Sequence, residues 1–105
     1  MSRIEKIESM LKDDPTDGFL RYALAMELRE SQPERSLEIL SELQKDSPPR
    51  VSSFFMAGQI LEKLGRVNEA RTVLREGIAE ARNQGDGHAA AEMSELLASL
   101  GALGE

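Results

Sequence analysis

VSSFFMAGQILEKLGRVNEARTVLREGIAEARNQ, residues 51–84, is the stretch on which the reading of this chain turns. Phe54, Ala57, Gly58 and Leu61 recur at three- and four-residue steps, the spacing of one face of a helix. Gly65 interrupts the pattern and suits the left-handed residue that ends a helix. Val67, Ala70, Val73, Leu74, Gly77, Ile78 and Ala81 then resume it on a second stripe. Two amphipathic helices joined by a tight turn follow. Two features of this stretch need a reason. Phe54 and Phe55 point about 100° apart on a helix, so one core-facing stripe cannot take both fully. Gly77 inside a helix costs about 1 kcal/mol relative to Ala, which predicts a close approach of another helix there.

The rest of the chain is divided by breakers at 13–18 (DDPTDG), 31–33 (SQP), 46–49 (DSPP) and 83–87 (NQGDG). The segments between them carry helical periodicity and no convincing alternation of period two. A first helix is predicted over 2–12, with Ile4, Ile7, Met10 and Leu11 inward and a Ser2/Glu5 capping box. A second spans 17–30, capped by Asp17, with Phe19, Leu20, Tyr22, Ala23 and Met26 on the buried side. A third spans 33–45, with Pro33 in its first turn and Leu37, Leu40 and Leu43 inward. The fourth and fifth cover about 50–64 and 67–83. The sixth begins after Asp86, over about 87–99, with Ala89, Met93, Leu96, Leu97 and Leu100 along it. Short connections make successive helices antiparallel neighbours. The predicted class is all-α, with six helices.

Composition agrees. Of 105 residues, 40% are hydrophobic and 30% charged, the balance of an ordinary globular chain. Aromatic residues are only 4%, so the core is built from Leu, Ile, Val, Met and Ala, which suits helices. The net charge of −6 argues against nucleic acid and anionic membranes as partners. With no cysteine there is neither a disulfide frame nor thiolate chemistry. No apolar run reaches the roughly 18 residues of a membrane span, and MSRIEKIESM lacks the apolar centre of a signal peptide. A cytoplasmic location is expected.

The helices repeat. A shift of 35 carries Phe19 to Phe54 and on to Ala89, Ala23 to Gly58 and Met93, and Met26 to Leu61 and Leu96. A shift of 33 carries Ile4, Ile7, Met10 and Pro15 to Leu37, Leu40, Leu43 and Pro48. A shift of 34 carries Ser36, Leu40 and Leu43 to Ala70, Leu74 and Gly77. A helix pair recurring near every 34 residues marks a repeat architecture. On these residues, 51–84 resembles a tetratricopeptide repeat. Phe54 stands at the first aromatic position, Ala57–Gly58 at the Leu-Gly pair, and Leu61 where Tyr is usual. Gly65 is the turn glycine, and Ala70, Leu74 and Gly77 fill the small, large and small positions of the second helix. Residues 17–49 form a degenerate repeat, with Ser36 for the small Ala and one extra residue expected in its turn. The outer helices, 2–12 and 86–100, then read as half-repeats covering the ends of one domain. The tail GDGHAAAEMSELLASL is similar to the closing helix of small bacterial two-repeat proteins.

The resemblance implies a protein-interaction module, in which the first helix of each pair lines a concave face. Phe54 would then be core and Phe55 would face the groove. The candidate contact residues are Leu20, Arg21, Leu24 and Leu28 in the first repeat and Phe55, Gln59 and Glu62 in the second. The expected partner is a peptide or protein segment. The alternative is a homo-oligomer that buries this face against its own copy. Some members of the family hold a partner's C-terminal carboxylate with a Lys/Asn/Arg clamp. Phe55, Met56 and Gln59 at the matching positions leave Arg21 alone, so that mode is not expected.

Catalytic constellations are missing. His88 has no second His or Cys to share a metal. Asp13, Asp14 and Asp17 lack the twelve-residue calcium-loop pattern and fit helix capping. Gly85–Asp86–Gly87 is a turn, not a phosphate cradle, and Ser52–Ser53 lack a nearby base. No enzyme activity, cofactor or metal is expected.

Overall fold

The computed structural model describes residues 1–104. It is built from α1 (Arg3–Asp13), α2 (Gly18–Leu28), α3 (Pro33–Gln44), α4 (Val51–Lys63), α5 (Val67–Asn83) and α6 (Gly87–Gly104). No strand occurs among the described residues. The helices fall into two compact units, Met1–Arg50 and Val51–Glu105.

The first unit packs α1 and α3 on α2. Both halves of the capping box start α1. The Glu5 N–H donates to Ser2 Oγ at 3.1 Å and the Ser2 N–H to Glu5 Oε1 at 3.0 Å. Asp17 Oδ1 accepts from the Leu20 N–H at 3.0 Å and starts α2. Ile7, Leu24 and Leu28 form a buried cluster, with Ile4, Leu11, Ala23 and Ile39 packed around it. Ser36, buried in α3, donates its hydroxyl to the Ala25 carbonyl at 2.7 Å. A small residue at each of these positions lets α2 and α3 touch backbone to side chain. Ion pairs tie the outer edges: Arg3 with Glu27, Arg35 with Glu8 at 2.6 Å, and Arg21 with Asp46 at 2.7 Å.

The second unit packs α4, α5 and α6 around Phe54, Leu61, Leu74 and Met93. A Cβ on Gly77 would lie 2.4 Å from Phe54 Cβ and 2.6 Å from Met93 Sδ. The helix-interior glycine is thus the gap through which α4 and α6 reach α5. A Cβ on Gly58 would meet Leu74 Cδ2 at 2.6 Å, so α4 and α5 also close on a missing side chain. Gly65 and Gly85 have φ of +76° and +78° and end α4 and α5. In each turn the next N–H reaches back five residues, Arg66 to the Leu61 carbonyl and Asp86 to the Ala81 carbonyl, both at 2.8 Å. Asp86 Oδ1 accepts from the Ala89 N–H at 3.1 Å and starts α6. Arg71 donates to the Leu100 carbonyl at 2.9 Å, fastening α5 to α6.

Several inward assignments are corrected. Phe19 is 71% exposed, Met10 50% and Met26 39%. In α6 the buried positions are Ala90, Met93 and Leu100, not Ala89. In α2 the buried residues are Leu24, Ala25 and Leu28. These align with Ala57, Gly58 and Leu61 at a shift of 33, not 35. The physical reason is that helix approach selects a small residue: the Ala25 carbonyl accepts from the Ser36 hydroxyl where α2 meets α3, and Gly58 leaves room for Leu74 where α4 meets α5. Ser36 follows Leu28 by eight positions and Ala70 follows Leu61 by nine, so the first hairpin is one residue shorter than the second, not longer.

Candidate functional site

The shift of 33 changes which side chains face outward. Arg21 stands where the second unit has the core Phe54. Phe19, Tyr22, Met26 and Arg29 stand where it has Ser52, Phe55, Gln59 and Glu62. On α2, Phe19, Tyr22 and Met26 lie within about 60° of arc at 100° per residue, and Leu24 is about 140° from Phe19. Leu24 and Leu28 are buried, at 6% and 0% exposure, so these two candidates belong to the core and not to a contact surface. Leu20 is half-buried on the flank that carries Glu27, which pairs with Arg3 of α1. The Arg21 guanidinium turns to α3's end, donating to both Asp46 oxygens at 2.7 and 3.4 Å. Neither Leu20 nor Arg21 joins the outward stripe. Phe19, Tyr22 and Met26 do, and the matching of the two phenylalanines had hidden them.

On α4 the three candidates share one stripe. Phe55 and Glu62 are half-buried and Gln59 is exposed, against seven buried residues elsewhere on the same helix. Phe55 and Tyr22 are thus aromatics at matching positions of the two repeat helices, both half-buried. The rims carry opposite orders of charge. Arg29 and Glu30 end the stripe of α2, where Glu62 and Lys63 end that of α4.

No group of three or more metal-ligating side chains occurs among the described residues. His88 is exposed and lies 3.3 Å from Glu92 in its own helix. Two carboxyls are held below their ordinary value of 4.5, both on the surface. Glu5 is lowered by the hydrogen bonds of the Ser2 cap, and Glu69 by its hydrogen bond from Arg66. Both belong to helix starts. No described helix is long and apolar enough to cross a membrane.

Solved structures place the fold. The solution structure of a tetratricopeptide repeat domain protein from Salinibacter ruber is 30% identical over 85% of this chain and 91% of that one, with a TM-score of 0.77. A crystal structure of a tetratricopeptide repeat domain protein from the same organism is 31% identical, over 83% and 99%, with a TM-score of 0.74. A protein of Bordetella parapertussis, 24% identical over 97% and 90%, shares the fold with a TM-score of 0.83. No protein-family model matches the sequence, and no curated protein does. The chain belongs to the tetratricopeptide repeat family. That fold is, in general, a protein–protein interaction module and typically not an enzyme.

Proposed function

We propose that this protein is a non-enzymatic interaction module that binds a segment of a partner protein through the outward face of the first helix of each repeat. Phe19, Tyr22 and Met26 supply that face in the first unit, and Phe55, Gln59 and Glu62 in the second. The observation that carries the reading is Phe19. It stays 71% exposed while Ile7, Leu24 and Leu28 close the core behind it. Large apolar side chains that add nothing to a core, aligned with an aromatic and a methionine, are the makings of a docking stripe. The polar Gln59 and Glu62 then serve orientation and selectivity.

The test is photo-crosslinking in the native host, with p-benzoylphenylalanine at 19 or 55 and, as a control, at the exposed Ser9. A discrete adduct at 19 that is lost on Tyr22→Glu, or at 55 that is lost on Glu62→Lys, and that is absent from 9, is the expected outcome. An adduct of twice the chain's own mass would assign the face to a homodimer. Equal adducts at all three positions would refute the stripe.

A further inference from the structure

The chain has no cysteine, so methionine thioethers are its only oxidisable sulfur, and its five methionines stand in different surroundings. Met93 is fully buried, with its Sδ in the gap left by the missing side chain of Gly77, and Met56 is 7% exposed. Met1, Met10 and Met26 are open to solvent, at 84%, 50% and 39%. Met1 precedes α1 and Met10 lies on it. Met26 is the one exposed methionine of a repeat helix. It stands on the outward stripe of α2, four residues after Tyr22, so the two side chains lie one above the other on a single helix face.

We propose that Met26 is a modification site: hydrogen peroxide oxidises it to the sulfoxide and thereby turns off docking on the first unit's stripe, a proposal that rests on the docking role argued for that stripe. In the step, a sulfur lone pair attacks one peroxide oxygen and the O–O bond breaks. The sulfur is oxidised by two electrons, and the peroxide is reduced to water. The product replaces a flexible apolar side chain by a polar one with a strong acceptor oxygen. At Met93 that change would break the core. At Met26 it leaves the core packing of Leu24, Ala25 and Leu28 untouched and removes apolar surface from the stripe beside Tyr22. The matching place in the second unit is Gln59, already a polar side chain with an acceptor oxygen. Ser52, Phe55, Gln59 and Glu62 hold no sulfur, so peroxide acts on the first unit's face and not on the second's.

The experiment treats the purified full chain, carrying p-benzoylphenylalanine at 19, with a series of hydrogen peroxide doses. After the peroxide is removed, the chain is irradiated in a lysate of its host. Each methionine falls in its own tryptic peptide, Met26 in 22–29, so mass spectrometry reads the added oxygen at every site. Met10 and Met26 should be oxidised at doses that leave Met56 and Met93 unchanged and the circular dichroism spectrum intact. The adduct at 19 should fall about fivefold or more, in step with Met26 and not with Met10, the effect of losing apolar contact at one side chain. Methionine sulfoxide reductase with a dithiol should restore it. In Met26→Leu the ratio of treated to untreated yield should stay near one, whatever its starting level. Resistance of Met26 equal to that of Met56, an adduct that survives full oxidation of Met26, an adduct not regained when Met26 is reduced, or equal sensitivity in Met26→Leu would each overturn the proposal and leave the docking role standing. No adduct at 19 from the untreated chain would also overturn it, and would remove the docking role as well if 55 gave none.

Discussion

At the scale of single residues, the glycines separate into kinds that one substitution distinguishes. Gly77→Ala gains about 1 kcal/mol of helix propensity but drives a methyl into Phe54 and Met93, and overpacking of this sort costs typically 1–3 kcal/mol. Net destabilisation in urea unfolding is the expected outcome. Gly65→Ala meets nothing within 4 Å, yet its φ of +76° is strained for a side chain, so a loss of about 1–2 kcal/mol is expected for a different reason. Gly87→Ala, with open space and no positive φ, should be neutral or stabilising. The two lowered carboxyls set a direction with pH. Glu5 and Glu69 are depressed in the folded state, so the stability they add is present above the ordinary value of 4.5 and is lost as pH falls through their lower folded values. Thermal melts should therefore show a fall on the acid side of 4.5 that becomes smaller in Glu5→Gln.

At the scale of elements, the sequence made the helix pairs, the caps and the second repeat readable, because small residues and glycine turns leave a strong local mark. Gly58, Gly65 and Ala70 each stand for a contact or a φ that the structure contains. The first repeat was harder. Two phenylalanines, 19 and 54, invited a match by chemical identity. The match that matters is by size, Ala25 with Gly58, because backbone approach between paired helices needs a small residue at that point. Arg21 in place of Phe54 removed the aromatic landmark, and Leu43 stands where the second repeat has the small Gly77. A turn without glycine gave no fixed point from which to count. Leu28→Ala should accordingly cost about 2–5 kcal/mol, as a fully buried leucine does. Ser36→Ala should cost about 1 kcal/mol or less, since alanine is what the second repeat uses at that place and only one hydrogen bond is lost. Chemical denaturation of both variants checks the ranking.

At the scale of the molecule, the chain is an acidic, cysteine-free member of the tetratricopeptide repeat family whose proposed work is to hold another protein. The acidity was legible from composition. The first repeat's faces were less legible: Leu24 and Leu28, expected on a contact face, are buried, and Phe19 and Met26, expected inward, are exposed. The outward stripe proposed for the first unit depends on that exchange of faces. The most direct check is urea unfolding of Phe19→Glu, followed by circular dichroism. With Phe19 on an outward stripe, the midpoint and slope should match the wild type within about 0.5 kcal/mol, the usual range for a surface change. A loss of about 3 kcal/mol or more, the cost of removing a buried phenylalanine, would put Phe19 back in the core and contradict both the alignment of the repeats and the interaction face built on it.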